Sequence, residues 1–207
     1  LKRSHINLKV IAITGSSGKT TLKTLLGRIL SEYGKTYFSQ KSYNNHIGVP
    51  LSLCNLENDH RYGVFEIGMS DAGEIRKLSN LVKPNIAIIT NIGEAHLENF
   101  NDLNGIANAK SEIIENISKG GHLILNRDDK YFDYLSKIAR KRKIHVLSFG
   151  KSNKSNATLI TNKLYKDYNN LHFRVLNENI YLKVKNINSL IISNIMFILL
   201  TLQVLDL

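Results

Sequence analysis

Apolar residues in this chain follow two different spacings. Short runs rich in β-branched and other apolar residues occur at 10–13, 35–38, 62–67, 86–90, 122–125 and 144–149, the pattern of strands. Residues Val10 to Ile13 are four consecutive apolar positions, as in a strand buried on both faces. Between most of these runs the apolar positions fall at helical spacing, over 20–33, 72–81, 102–117 and 129–140. In the first of these, Leu22, Leu25, Leu26, Ile29 and Leu30 form the apolar stripe. The alternation predicts an α/β fold, a mainly parallel sheet flanked by helices on both faces, with ligands bound beyond the carboxyl ends of the strands. After Gly150 the pattern changes. Residues 157–161, 171–176 and 180–184 read as short strands, the last two a hairpin around "NEN", giving a small antiparallel β portion. A final helix is expected from about Ser189, and no internal repeat or low-complexity linker is visible.

Where the first strand meets the first helix the chain reads "VIAITGSSGKTTLKTLLGRIL". Glycines between strand and helix allow successive backbone N–H groups to curl around an oxyanion, and the positive end of the helix adds to the attraction. Gly15, Ser16, Ser17, Gly18, Lys19, Thr20 and Thr21 are therefore the expected nucleotide-binding residues, with Lys19 reaching the terminal phosphates and the Thr20 hydroxyl placed for Mg²⁺. The loop is G-x-x-G-K-T-T, shorter than G-x-x-x-x-G-K-[ST], because position 13 is Ile13 rather than glycine. The expected ligand is a nucleoside triphosphate.

Loops after other strands add candidate chemistry. Glu66 ends the run in "VFEIGM", His96 follows another strand in "TNIGEAHLENF", and Lys110 lies on the next helix in "AKSEI". Each alone has an ordinary structural reading. Together with Thr20 they supply a hydroxyl, a carboxylate and an imidazole, which suits one or two divalent ions bridging phosphates. His5, His46, His60, His122, His145 and His172 show no ligand spacing and read as structural.

Composition narrows the classes. A length of 207 residues with 43% hydrophobic content suits one sizeable globular domain, or one domain with a small appendage. The single cysteine, Cys54, excludes an intramolecular disulfide framework and fits a reducing compartment. No signal-peptide pattern precedes the first strand, so a cytoplasmic location is expected. "LIISNIMFILLTLQVL" is 16 residues interrupted by Ser193, Asn194, Thr201 and Gln203. A membrane span needs roughly 20 mostly apolar residues, so a buried helix is expected there and no membrane insertion. The net charge of +11 is spread along a chain rich in Lys, Asn and Ile, and its densest cluster, "ARKRK", falls at a helix end. That placement complements a helix dipole, and no aromatic interleaving marks a single-strand nucleic-acid platform. Anionic nucleotide substrates are the expected beneficiaries of the charge, not nucleic acid.

"TGSSGKTTLK", "NNHIGVPLSL", "FEIGM", "TNIGEAHLENF", "AKSEI" and "LNRDD" occur in an order and spacing that resembles the Mur ligases. The resemblance runs along nearly the whole chain and concerns the family's central ATP-binding domain, so it implies ATP as the nucleotide. It also implies that residues 1–207 are that domain, with an N-terminal UDP-sugar-binding domain and a C-terminal Rossmann-like domain absent from this chain. "NNHIGVPLSL" resembles the branch that joins D-Ala-D-Ala to UDP-MurNAc-tripeptide in peptidoglycan precursor synthesis, by way of an acyl phosphate. The resemblance further implies roles. Thr20 and Glu66 bind one Mg²⁺, and His96 binds a second. Lys110 is carbamylated by CO₂ and serves as an anionic metal-binding group, and Lys19, His96 and Lys110 are the catalytic residues. Asn44 and Asn45 line the substrate side, and Asn194 contacts the nucleotide base. A monomer is expected.

Two departures stand out. Ser70 and Asp71 occupy positions where this branch commonly has Asn-His, and Leu190 replaces a histidine in the base-contacting pattern that keeps Asn194. Another amide ligase on the same domain, such as a sister Mur ligase or a folylpolyglutamate-type enzyme, is the alternative within the superfamily. A P-loop NTPase switch or motor, or a nucleotide-binding remnant without ligase activity, are the alternatives outside it.

Overall fold

The structure is a computed structural model, and it describes residues 8–95, 97–185 and 187–207. Nine strands form one sheet: β1 (Lys9–Thr14), β2 (Thr36–Phe38), β3 (Tyr62–Glu66), β4 (Ile86–Ile89), β5 (His122–Asn126), β6 (His145–Phe149), β7 (Ala157–Leu164), β8 (Asn169–Val175) and β9 (Glu178–Val184). Their order is β2-β3-β1-β4-β5-β6-β7-β8-β9. Pairing is parallel from β2 through β6, touches β7 in parallel only at Phe149 opposite Ala157, and is antiparallel across β7, β8 and β9. The α/β architecture expected from the periodicity is the one observed, antiparallel portion included.

β1 is the pivot of this order. The chain leaves it toward β2 and β3 on one side and returns to pair β4 on the other, so the loop after β1 opens at the point where the strand order reverses. Open parallel sheets bind ligands at such a point. Both faces of β1 are covered. Val10 and Ala12 join a core with α2 (Gly48–Cys54), α3 (Glu74–Val82), α4 (Leu103–Ser111) and α5 (Phe132–Lys141), while Ile11 and Ile13 join a second core with α1 (Lys19–Ser31) and α6 (Ser189–Val204). This is why residues 10–13 carry no polar position.

Helix ends follow local chemistry. The Asp102 side chain accepts the Gly105 N–H at 2.9 Å and starts α4, and Asn188 does the same for Ile191 at 2.9 Å at the start of α6. The stretch read as one helix over 102–117 changes to a 3₁₀ turn, Glu112–Asn116, after Ser111. α2 lies inside "NNHIGVPLSL", which offered no helical periodicity to read. Its Pro50 sits in the first turn, where the missing N–H has no intrahelical partner to lose. The hairpin turn falls at Leu176, whose φ of 51° is left-handed, one residue before the expected "NEN".

α6 is apolar nearly all round because it packs on β5, β6, β7 and α1. Among the described residues no helix is long and apolar enough to cross a membrane. Phe197 of α6 is 1% exposed and meets Phe149 of β6 edge to face, with ring centroids 4.6 Å apart. Phe197→Ala is expected to destabilise the fold by about 3–5 kcal/mol, measured as a lower urea midpoint with an unchanged slope.

Candidate functional site

The loop after β1 is held in an unusual backbone shape. Gly15 has φ 143° and Gly18 has φ 80°, both in the region that favours glycine. A Cβ on Gly15 would lie 1.9 Å from the Thr90 hydroxyl oxygen, so the close approach of the loop to the end of β4 also requires glycine there. Gly18 precedes α1, and among the described residues no side chain caps that helix. With Leu22 N–H already donating to the Gly18 carbonyl, the amides of Gly18, Lys19, Thr20 and Thr21 are the open donors of the helix start.

Ser16 and Ser17 are engaged elsewhere. The Asn91 side-chain oxygen accepts both the Ser16 and Ser17 N–H groups, at 3.1 and 3.0 Å, and the Asn91 amide nitrogen donates to the Ser17 hydroxyl at 2.7 Å. The Thr90 hydroxyl donates to the Ser17 carbonyl at 2.6 Å, and the Ser16 hydroxyl pairs with both backbone groups of Gly93. The loop after β4 therefore clamps the first half of the phosphate loop. No local pattern announces this clamp, because its partners lie more than 70 residues apart.

Glu66 closes β3 beside Ile13 in register, and it is 2% exposed. One carboxylate oxygen, Oε1, accepts the Asn44 amide at 2.8 Å. The other, Oε2, has no hydrogen-bond partner among the described residues and lies 3.8 Å from Nζ of Lys23. Lys19 donates to the Gly15 carbonyl at 2.8 Å, which spans the loop. Burial pushes the Lys19 ammonium below its ordinary value, an effect partly offset by the negative charge of Glu66. The Thr20 hydroxyl stands 3.0 Å from that of Ser42. Residues 16–21, Ser42, Asn44 and Glu66 line a hollow of about 390 Å³. Through Lys19 and Asn44 it adjoins a cavity of about 520 Å³ reaching Asn45, His46, Ser70 and Lys77.

The other expected residues occupy several settings. The Asn45 side-chain oxygen accepts the Ile47 and Gly48 amides at 3.2 and 2.9 Å, organising the start of α2. Ser70 and Asp71, the departures in "EIGMSDAGEI", donate their backbone N–H groups to Glu74. Leu190 approaches Gly18, and Asn194, one helical turn along α6, is 1% exposed with its amide nitrogen unpaired among the described residues. His96 lies outside the described residues. Among the described residues no three histidine, cysteine or acidic side chains form a ready metal cage. Lys23, Ser42, Thr90 and Asn91 belong to the assembly and were not expected from the sequence.

Lys110 is 2% exposed on α4. Burial pushes its ammonium from 10.5 down to about 7, and the positive charge of Lys19 adds to the drop. An unfolded chain keeps that proton up to about 10.5, so between about 7 and 10.5 the unfolded state binds more protons and stability rises with pH. Below about 7 both states carry the charge, and its burial counts fully against the fold.

The arrangement is that of a phosphate-loop domain with an acidic residue at the neighbouring strand end. The chain matches the Mur ligase middle domain family over residues 13–202 and belongs to that family. It is 39% identical over 178 residues to the UDP-N-acetylmuramoyl-tripeptide–D-alanyl-D-alanine ligase of Rickettsia prowazekii, covering 86% of this chain and 40% of that relative. Among solved structures it superposes on MurF from Acinetobacter baumannii with TM-score 0.91 and 32% identity, over 100% of this chain and 45% of the other. MurF from Thermotoga maritima in complex with ADP gives TM-score 0.88 and 28% identity, over 99% and 47%. The chain thus spans about two-fifths of the curated relative it matches. A folylpolyglutamate synthase from L. casei, at 12% identity and TM-score 0.71, shares the fold alone.

In CO₂-free buffer, Lys110→Met is expected to be more stable than the unaltered chain near pH 7. The gap should narrow by up to about 1.4 kcal/mol per pH unit as pH rises toward 10, read from urea unfolding at each pH. Gly15→Ala is expected to lower stability by more than about 2 kcal/mol, because both the left-handed backbone and the Thr90 contact oppose a methyl group; thermal unfolding checks this.

Proposed function

We propose that this chain is the ATP-binding part of an amide ligase that joins D-Ala-D-Ala to UDP-MurNAc-tripeptide in peptidoglycan precursor synthesis. The observation that carries the reading is the placement of Glu66, with one buried carboxylate oxygen lacking a hydrogen bond among the described residues, across a hollow from the phosphate loop and Lys19. The names of the relatives in Rickettsia and Acinetobacter support the substrate assignment, and the ADP complex of the Thermotoga protein supports ATP as the nucleotide.

The residues fit a magnesium ion, which favours hard oxygen ligands. Glu66 Oε2 and the Thr20 hydroxyl would hold it, and it would supply neutralisation of charge between the β- and γ-phosphates. Lys19 and the open amides from Gly18 to Thr21 hold the terminal phosphates and disperse the charge that builds during transfer to the tripeptide carboxylate. The cavity bounded by Asn44, Asn45, His46 and Lys77 receives the acyl end next to those phosphates. The D-Ala-D-Ala amine then displaces phosphate from the acyl phosphate.

Lys110 takes part as a carbamate in this reading. Burial gives it a neutral amine near pH 7, as attack on CO₂ requires; the nitrogen loses a proton as the N–C bond forms, and Lys19 opposes the resulting negative charge. Position 96 supplies a histidine ligand for a second ion. Residues 1–207 act here as the central domain of a three-domain enzyme. The chain alone is accordingly expected to bind nucleotide without ligating, since misplaced substrates alone can cost about 10²-fold.

Calorimetry with Mg²⁺–ATP should show binding to the chain and a loss of at least about tenfold in Lys19→Ala, with an unchanged circular dichroism spectrum; equal affinities would defeat the phosphate-loop assignment. In an enzyme carrying all three domains, phosphate release should require both UDP-MurNAc-tripeptide and D-Ala-D-Ala. There Lys110→Ala should lose ligation and recover part of it with added acetate, whereas Lys110→Arg should not substitute.

A further inference from the structure

Lys23 is a fully buried lysine, 0% exposed, that none of the chemistry above uses. It stands one helical turn after Lys19 on α1. Its Nζ donates to the Lys41 carbonyl at 2.8 Å and to the Ser39 hydroxyl at 3.2 Å, and lies 3.8 Å from Glu66 Oε2. An ammonium has three N–H donors and no acceptor, and here three oxygens surround it. The Ser39 hydroxyl in turn donates to the Lys41 carbonyl at 2.8 Å, closing a small ring of contacts.

The segment held this way runs from the end of β2 to the start of α2 without strand or helix of its own. Its position rests on side-chain anchors and a few backbone hydrogen bonds, among them one to Gly68. Immediately after Lys41, Ser42 meets the Thr20 hydroxyl, and Asn44 donates to Glu66 while its carbonyl accepts the Gly68 N–H at 2.8 Å. Lys23 therefore binds one end of the segment that presents both groups to the site. Its two shortest contacts are to that segment, and the carboxylate is the more distant partner.

We propose that Lys23 is a positioning residue for the magnesium–nucleotide site: its buried ammonium fastens residues 39–41 to α1, and so sets Ser42 against Thr20 and Asn44 against Glu66. This rests on the nucleotide-binding reading above. An apolar side chain of similar length fills the same space yet takes away the donor to the Ser39 hydroxyl, one of the donors to the Lys41 carbonyl and the positive charge beside Glu66, so packing alone does not explain a lysine here.

The test uses the 207-residue chain, with amide hydrogen exchange at residues 42–47 and calorimetry of ATP with and without Mg²⁺. Lys23→Met is expected to speed exchange at 42–47 at least tenfold and to weaken Mg²⁺–ATP binding at least tenfold, with a smaller loss for ATP alone. Ser39→Ala, which leaves every charge in place, should move both readouts in the same direction by a lesser amount. In Lys23→Met/Glu66→Gln the thermal midpoint should recover relative to Lys23→Met while exchange at 42–47 stays fast. Wild-type exchange rates in that double variant, or in Lys23→Met itself, would overturn the proposal, since Lys23 would then only compensate the charge of Glu66. Absence of Mg²⁺–ATP binding by the unaltered chain would instead refute the nucleotide reading, and the exchange rates would still decide the role of Lys23.

Discussion

A carboxylate at the end of a central strand, closed off from water, is the constraint around which this molecule is arranged. Removing an ionised group from solvent costs several kcal/mol unless neighbouring charges and donors compensate, and Glu66 is 2% exposed. Three parts of the chain converge to compensate it. α1 brings Lys19 and Lys23, and the segment before α2 brings Asn44. The strand order brings the phosphate loop, because β3 and β1 are paired in parallel and their carboxyl ends emerge side by side. One carboxylate oxygen is left without a hydrogen bond among the described residues, 3.8 Å from Lys23, and Glu66 lines the hollow beside the phosphate loop.

The phosphate loop itself is divided into two halves with different duties. Its first half, Ser16 and Ser17, is tied to Thr90, Asn91 and Gly93. Its second half keeps the open amides of the helix start. Such a division fixes the donors before a ligand arrives, and groups already in place need no reorganisation when charge shifts. It also makes the loop after β4 a structural partner of the loop after β1. Through Asp129, whose carboxylate accepts the Ile92 N–H at 3.0 Å, the tie extends to the loop after β5. "LNRDD" is thus connected to "TGSSGKTT" by a chain of short contacts.

Strands and helices in the parallel part were legible because burial on both faces leaves unbroken apolar runs, and because helical spacing returns between them. α2 was not, since seven residues containing Pro50 and Gly48 display no period. Among the site residues, those inside a local motif could be read directly, as Gly15, Gly18, Lys19 and Thr20 were. Glu66 and Lys110 could be picked out as candidates from their places beside the strand ends, but the roles expected of them depended on a resemblance, because a strand-end glutamate and a helical lysine have common structural readings. Lys23 was invisible for a related reason: a lysine between Leu22 and Leu26 reads as solvated unless the oxygens that surround it are known, and two of those belong to residues 16 and 18 positions away. The Asn91 clamp required the fold itself.

The two ends of the sheet also shape how this chain behaves in a crowd of its own copies. Among the described residues the nine-stranded sheet leaves backbone groups unpaired along its outermost strands, and also where β6 and β7 diverge beyond Phe149 and Ala157, and such edges invite strand addition and aggregation. At one end β2 is three residues long, and beside it Lys35 is engaged by Glu57 and Asp59. At the other end β9 begins with exposed Glu178 and then alternates exposed Asn179, Tyr181 and Lys183 with half-buried Ile180, Leu182 and Val184. A second copy pairing there would have to strip water from Glu178 and Lys183 and find partners for them. The same sheet that concentrates apolar residues at its centre therefore ends in one edge of three residues and another that carries a charge near each of its ends.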